Sequence, residues 1–292
     1  MGTENVERVG ASSDGSMGAE NVERVERVGA SSDGFIGAER AEAPVRVSII
    51  TVCLNAEATI ERTFDSVLSQ TYRGPVEYIV KDGGSSDGTL EKARSYEDRF
   101  RERGIDYRIV SSPDKGIYDA MNQGIDLAGG ELVGIINADD IYEEICLEAV
   151  VNRYRETDFD LCYGDIRMIL PSGNTFVKKA KLRRYTTSRD WNHPTQFVKR
   201  SIYDRFRYRC LNISDDMDLY FAVKRSGARI EVINEVLADF TMGGVSSDIP
   251  LKEIPERIGR RYEVYRHNGY SRAYIFECVA FEVIKYLGAK FG

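Results

Sequence analysis

Short apolar runs that alternate with amphipathic helical segments constrain the fold of this chain more than any other feature of its sequence. Four runs are typical of buried strands; they cover residues 45–53, 78–80, 107–110 and 132–136. The segments between them carry apolar residues at helical spacing; they are the helix marked by Ile60, Phe64, Val67 and Leu68, the helix from Thr89 to about Arg103, and the helix marked by Ile117, Ala120, Met121 and Ile125. This alternation predicts an α/β, doubly wound, mainly parallel sheet with a ligand crevice beyond the carboxyl ends of its strands.

The second half of the chain alternates less regularly, so we expect it to add a mixed part to the sheet, with one strand at 161–163. Residues 256–267 are charged and compatible with a helix. Residues 274–287 predict an amphipathic helix, too short to span a membrane, in which Glu277, Glu282 and Lys285 share an arc of roughly 140°. Two interpretations of this helix remain open: it packs on the domain, or it lies in a membrane interface.

The N-terminal 43 residues differ from the rest, because the segment 7–15 returns nineteen positions later as 26–34. Two copies are too few for a solenoid, and the segment holds too little apolar surface to offset the entropy of ordering. We expect residues 1–43 to form a disordered or weakly helical tail. A duplication without function and a docking arm are equally open. We expect a catalytic domain over 44–250 and a C-terminal helical extension over 251–292.

Composition excludes several classes of protein. Apolar residues make up 42% of the chain, which excludes wholesale disorder, and the net charge of −7 argues against a nucleic-acid binder that relies on bulk positive charge. Two histidines and five scattered cysteines form no pattern with metal-ligand spacing, so carboxylates should carry any metal or base chemistry. Cysteine usage and the lack of a signal peptide favour a cytoplasmic protein.

Polar clusters follow the strands at residues 51–57, 82–89, 112–122 and 137–140, and parallel strands would bring them to one crevice. Asp139 and Asp140 are adjacent at the end of an apolar strand, where two like charges repel. A bound Mn²⁺ or Mg²⁺ would relieve that repulsion. The alternative is that one aspartate caps a following helix while the other is solvated.

Four sequence blocks resemble, in order and spacing, the family 2 glycosyltransferases of GT-A fold. They are SIITVCLNAE (48–57), VKDGGSSDGT (80–89), SPDKGIYDAMN (112–122) and NADD (137–140), and the resemblance covers about residues 45–225. It implies a GT-A (Rossmann-like) fold with a nucleotide-binding half over 44–140 and an acceptor half over 141–250.

The resemblance also implies a set of donor contacts, which are Thr51, Asn55, Glu57, Asp82, Lys115, Asn137 and Asp139. In the family, the residue at Asp82 reads the nucleotide base, and a carboxylate is suited to accept a hydrogen bond from a pyrimidine imide. Gly83 and Gly84 would let backbone approach the ligand, although an ordinary turn would also explain them. The element Asn137, Asp139 and Asp140 corresponds to the family's DXD motif, which holds ribose and the divalent cation. Asn137 replaces the first acid, and either aspartate remains open as the direct metal ligand.

The segment ISDDMDLY (213–220) resembles the family's acceptor region, which implies that Asp216 is the general base and that Asp215 occupies the position of the usual glutamate. Helix capping by Asp215, Asp216 and Asp218 is the structural alternative. His193 either orients the acceptor or diphosphate or is structural, and His267 is expected to be solvated.

We therefore expect an inverting, metal-assisted glycosyltransferase that uses a UDP-sugar and a glycan or lipid-linked acceptor, in bacterial polysaccharide assembly. Basic stretches at 178–184 and 199–209 would attract a pyrophosphate-linked lipid or the anionic inner face of a membrane, unless they are a solvated surface. One rival is a sugar-nucleotide nucleotidyltransferase, which should show a glycine-rich basic loop where Asn55-Ala56-Glu57 stands. The other is a non-catalytic nucleotide-sugar-binding protein.

Overall fold

The computed structural model describes residues 43–187, 189–242 and 251–291. The predicted tail therefore lies outside the described residues, apart from Ala43, and the expectations about it stay predictions. The domain limits predicted at 250 and 251 also remain predictions.

A mixed β-sheet forms the centre of the described chain. Its strands are β1 (Val47–Cys53), β2 (Val76–Asp82), β3 (Asp106–Ser111), β4 (Leu132–Asn137), β5 (Ile141–Tyr142), β6 (Leu161–Ile169), β7 (Thr175–Lys178), β8 (Phe197–Lys199) and β9 (Ile230–Thr241). They lie in the order β3-β2-β1-β4-β8-β6-β9-β5, with β7 paired to β6. The first four are mutually parallel, β8 runs antiparallel to both of its neighbours, and β6 and β9 are parallel. The predicted parallel first half and mixed second half are both confirmed.

Helices cover both faces of the sheet. They are α1 (Ile60–Leu68), α2 (Thr89–Ser95), α3 (Glu97–Glu102), α4 (Ile117–Leu127), α5 (Cys146–Thr157), α6 (Asp215–Arg225), α7 (Ile254–His267) and α8 (Tyr274–Phe291). One core contains apolar side chains of α1, α2, α3 and α5, and the other contains those of α4, α6, α7 and α8. Because side chains alternate along β1, Ile49 enters the first core and Ile50 the second.

Two helix predictions need correction. The helix expected from Thr89 to about Arg103 is two helices, α2 and α3, which meet at Tyr96, whose buried ring packs 5.0 Å from that of Phe64. Ile117 was expected on the buried face of α4, but it is the first residue of that helix and is 49% exposed.

Helix α8 has the predicted amphipathic pattern but turns its charged side inward. Glu282 is buried against Arg257 of α7, with 3.1 Å between Glu282 Oε2 and Arg257 Nε. The opposite side exposes Phe276 and Val283. Packing on the domain is therefore correct for α8, and its contacting side carries the buried Glu282 together with the core residue Cys278. Among the described helices, none combines the length and the apolar character needed to cross a membrane.

Candidate active site

Hydrogen bonds join the loop after β1 to the loop after β2. Asn55 adopts a left-handed backbone conformation with φ of 51°, and its Oδ1 accepts a bond of 2.9 Å from the Ser86 N–H. The Glu57 N–H donates to Asp87 Oδ2 at 3.1 Å, while Glu57 Oε2 accepts from the Gly88 N–H at 3.0 Å. Asn55 and Glu57 are both exposed, so these two predicted donor contacts lie on a cross-linked rim at the carboxyl end of the sheet.

Asp82 organises the second of these loops from within. The residue is fully buried, and its Oδ2 accepts hydrogen bonds from the Gly84 N–H at 2.9 Å and the Ser111 hydroxyl at 2.6 Å. Its Oδ1 accepts from the Ser85 hydroxyl at 2.5 Å. Burial works against ionisation, but these donors hold the pKa of Asp82 below its usual range. Both carboxylate oxygens of Asp82 therefore accept hydrogen bonds from the chain itself, and its role as the base contact stays a prediction.

The structure places the predicted nucleoside contact Thr51 inside the core. Thr51 is fully buried and lies on the face of β1 that packs against α1, where its hydroxyl is 2.9 Å from the Tyr78 hydroxyl. A β-strand presents alternate side chains to opposite faces, so position 51 faces the core rather than the crevice. A role for Thr51 as a nucleoside contact stays a prediction.

A buried lysine holds the loop after β3, and sequence reasoning missed it. Lys81 Nζ donates hydrogen bonds to the carbonyl oxygens of Asp82 at 2.8 Å and Ser112 at 2.7 Å, and lies 3.6 Å from Asp114 Oδ2. Asp114 in turn lies so close to Gly83 that a Cβ there would be 2.6 Å from its Oδ2. A side chain at position 83 would therefore displace the Asp114 carboxylate. Lys115, the predicted phosphate contact, is exposed on this loop.

The end of β4 carries the predicted metal-binding element. Asp140 is fully buried, whereas Asp139 remains partly exposed. Burial raises the pKa of both carboxyls, and the neighbouring Asp139 charge raises that of Asp140 further. Two buried oxygens, Asn137 Oδ1 and Asp140 Oδ1, have no hydrogen-bond partner within the described chain.

These residues fit a divalent cation only in part. The buried oxygens without donors and the raised carboxyl pKa values describe an electron-rich site that a hard cation would stabilise. Within the described ranges, however, no group of three His, Cys, Asp or Glu side chains is arranged to hold a metal. A cation here would take further ligands from a bound diphosphate, with Asp139 as the accessible carboxylate.

Helix α4 links the donor side to the segment before α6. The Asn122 amide donates to the Tyr208 carbonyl at 2.8 Å, and the Tyr208 N–H donates to Asn122 Oδ1 at 3.2 Å. The Tyr118 ring stacks on Tyr208 at 5.3 Å, and its hydroxyl donates to the Ile213 carbonyl at 2.8 Å. Tyr118 and Tyr208 were missed by sequence reasoning, although Tyr118 lies inside a recognised block.

Asp216 lies at the amino end of α6, and His193 lies close enough for each to influence the other's pKa. Both are partly exposed, and His193 Nε2 lies 3.1 Å from the Tyr208 hydroxyl. Burial raises the pKa of Asp216, while the His193 charge, the Met217 N–H and the Tyr118 hydroxyl act to lower it. Burial likewise lowers the pKa of His193. The arrangement supplies a partly exposed carboxylate of raised pKa, which suits a proton acceptor.

The other two aspartates of this segment have structural partners. Asp215 was predicted as an acceptor-site residue, but it is buried and accepts hydrogen bonds from the N–H groups of Leu211 at 2.7 Å and Asn212 at 3.3 Å. Asp218 is buried too, and its Oδ1 lies 3.0 Å from His267 Nδ1. His267 was expected to be solvated, but it contacts Asp218. Of these three aspartates, Asp216 is the one whose carboxylate is partly exposed.

A family model described as "Glycosyl transferase family 2" matches residues 48–228 of this chain. The chain belongs to glycosyltransferase family 2. Among curated relatives, a PGL/p-HBAD biosynthesis glycosyltransferase of Mycobacterium bovis is 33% identical over 223 residues, covering 72% of this chain and 83% of the relative. Glycosyltransferase AglE of Haloferax volcanii is 30% identical over 134 residues, covering 46% of this chain and 43% of AglE.

Solved structures share the fold of this family 2 enzyme. Residues 1–349 of S. aureus TarS, crystallised with UDP, superpose with a TM-score of 0.59 at 17% identity, covering 83% of this chain and 72% of that one. The mannosyltransferase PcManGT of Pyrobaculum calidifontis, solved with GDP-Man and Mn²⁺, gives a TM-score of 0.58 at 16% identity, covering 89% and 80%. The expected GT-A fold and the glycosyltransferase class are thereby confirmed, and the nucleotidyltransferase alternative is set aside.

Proposed function

We propose that this glycosyltransferase transfers a sugar with inversion from a UDP-sugar to a hydroxyl of a glycan or lipid-linked acceptor, with Asp216 as general base. The observation that carries the proposal is Asp216 itself, a partly exposed carboxylate of raised pKa at the amino end of α6. A single base opposite the leaving group suits direct displacement at the anomeric carbon, which inverts its configuration.

On the donor side, we propose that the nucleotide lies against the joined loops that carry Asn55 and Glu57, with Lys115 close to the phosphates. Asn137, Asp139 and Asp140 would hold Mn²⁺ or Mg²⁺ together with the diphosphate. The cation would neutralise charge that develops on the departing nucleotide without any proton transfer. We assign Asp139 as the direct ligand, because Asp140 is fully buried.

On the acceptor side, Asp216 would receive the proton of the attacking hydroxyl as the new glycosidic bond forms. His193 and Tyr208 lie beside it, and we propose that they orient the acceptor. UDP is favoured as the carrier because TarS was crystallised with UDP and with UDP-GlcNAc. The GDP-Man complex of PcManGT makes GDP-sugars the necessary comparison.

A panel of UDP- and GDP-sugars tests this proposal. We expect nucleotide release from a UDP-sugar that requires Mn²⁺ or Mg²⁺ and stops with a chelator. Release only from GDP-sugars would overturn the choice of carrier, and release that persists in full with the chelator would overturn the metal assignment. Donor binding without turnover toward any acceptor would favour a non-catalytic nucleotide-sugar-binding protein.

A further inference from the structure

Helix α8 exposes a continuous apolar stripe on a surface helix that is fixed to the protein by its charged side. The stripe consists of Phe276, Val279, Val283 and Ile284, which are 77%, 41%, 47% and 50% exposed. These positions are spaced so that they share one side of the helix. An amphipathic surface helix normally turns its apolar side to the core. On α8 the core side carries Cys278 beside the buried Glu282, and the stripe is exposed.

Specific contacts hold this orientation in place. Glu282 lies between two arginines of α7, at 3.1 Å from Arg257 and 3.5 Å from Arg261. Glu277 Oε1 accepts a hydrogen bond of 2.8 Å from the Thr187 hydroxyl. Rotation of α8 to bury the stripe would leave these charged partners unpaired, which is costly. The exposed stripe is therefore a stable feature of the fold.

A basic cleft opens along the same helix. Its volume is about 890 Å³, and it is lined on one side by α8, including Ala280 and Phe281. Basic side chains line the other side; they are Lys178, Lys179, Lys181, Arg183 and Arg189. They outnumber the lining acids Asp190 and Glu277, although the whole chain carries a net charge of −7. Lys179 pairs with Asp165 at 2.7 Å and Arg183 with Asp190 at 3.3 Å, so the exposed Lys181 and Arg189 would receive phosphate groups. Two further exposed rings, Phe176 and Tyr185, border this cleft.

We propose that the α8 stripe and the basic cleft together form a docking surface for an anionic lipid bilayer. The stripe would enter the boundary between headgroups and acyl chains, and the cleft would receive lipid phosphates, as in interfacial helices that pair apolar and basic surfaces. A second copy of the chain fits less well, because a two-fold contact through this patch would bring the same basic cluster face to face.

Docking through this surface would orient the protein on the bilayer in a way that suits the proposed transferase. Lys178 of the cleft donates a hydrogen bond of 3.1 Å to the carbonyl of Trp191, two residues before His193. The cleft therefore adjoins the segment that carries the proposed acceptor site. A bilayer docked here would present membrane-borne acceptors near Asp216, a consequence that rests on the proposed function, whereas bilayer binding itself does not.

Co-sedimentation of the full chain with vesicles tests the proposal, without donor or acceptor. We expect binding to phosphatidylcholine vesicles that contain phosphatidylglycerol, weaker binding to phosphatidylcholine alone, and loss at high salt. Phe276→Ser should weaken binding about tenfold. Its control, Ile145→Ser, changes an exposed apolar residue beside α5 on the other layer and should bind like the wild type.

Charge reversal in the basic cleft provides a second, independent test of vesicle binding. Lys181→Glu/Arg189→Glu should weaken binding about thirtyfold or more, whereas Arg73→Glu/Arg94→Glu, with the same change in net charge at other exposed positions, should have little effect. Circular dichroism would establish that every variant is folded. Failure of the wild type to bind anionic vesicles, or equal binding by Phe276→Ser, would overturn the proposal. A concentration-dependent dimer that Phe276→Ser abolishes, without vesicle binding, would assign the surface to a second copy.

Discussion

The Tyr118 hydroxyl donates a hydrogen bond of 2.8 Å to the main-chain carbonyl of Ile213, three residues before Asp216. Tyr118 lies on α4, directly after the loop that carries Lys115, so one helix contacts both the donor side and the segment of the proposed base. The nearby bonds between Asn122 and Tyr208 reinforce this link. The position of Asp216 therefore depends on residues of α4, within the half of the chain predicted to bind the nucleotide.

Tyr118→Phe tests this dependence. Loss of one hydrogen bond of roughly 1 kcal/mol should loosen the 213–216 segment and lower kcat about tenfold or less, with the Kd for the donor nucleotide unchanged. Steady-state kinetics and calorimetry with UDP would separate the two effects. A weaker donor Kd with unchanged kcat would contradict the role assigned to Tyr118.

The pH dependence of sugar transfer should report the ionisation of Asp216 and the effect of His193 on it. The pKa of Asp216 is raised by burial and lowered by charge on His193, so the active carboxylate is lost as the pH falls through that raised pKa. His193→Gln removes the lowering charge and should move the acid limb of kcat/KM to higher pH. His267→Gln, a change to the histidine beside Asp218, is the control and should leave the limb in place.

Asp82→Asn distinguishes a structural role from a direct base contact. The pKa of Asp82 is below its usual range, so its stabilisation is fully present at neutral pH and is lost as the pH falls through the folded-state pKa. An amide cannot accept all of the bonds from Gly84, Ser85 and Ser111, and we expect a loss of about 3 kcal/mol in the free energy of unfolding. Urea denaturation at neutral pH measures it. An unchanged stability with greatly weakened UDP binding would instead assign Asp82 as the base contact.

Asp140→Asn should stabilise the metal-free protein. The pKa of Asp140 is raised well above its usual value, so ionisation of this buried group destabilises the fold as the pH rises above the unfolded-state pKa. An amide removes the charge and can donate to the unpaired Asn137 Oδ1. We expect a gain of about 1 to 2 kcal/mol in the free energy of unfolding at neutral pH in the presence of a chelator. A loss of stability under those conditions would show that the charged form is favoured.

The sequence pattern correctly predicted the buried strands of the first half of the sheet. β1 and β4 are apolar along nearly their whole length because both faces are covered by helices, and such runs are recognisable without a structure. The NADD block could be placed at the end of β4 for the same reason. The pairing of β6 with β9 joins residues about 70 positions apart, which no local periodicity reveals.

The features that sequence patterns did not predict depended on distant partners. Periodicity defined the charged arc of α8 but not the arginines of α7 that turn Glu282 inward. The family block suggested that Asp82 meets a ligand, whereas Ser111, a residue of another strand, helps to fill its carboxylate. Thr51 was assigned to the crevice from its place in a block, although its parity along β1 directs it to Tyr78. In each case, contacts with residues distant in the sequence decide which way the side chain is oriented.

The rate of a single turnover in Asp216→Asn, measured with saturating UDP-sugar, Mn²⁺ and acceptor, tests the central claim most directly. The control is Asp126→Asn, which removes a carboxylate that pairs with Arg207 on the surface of α4. We expect Asp216→Asn to bind UDP like the wild type and to transfer sugar about 10² to 10⁴ times more slowly. Transfer at the wild-type rate by a folded Asp216→Asn variant would contradict the assignment of Asp216 as the base.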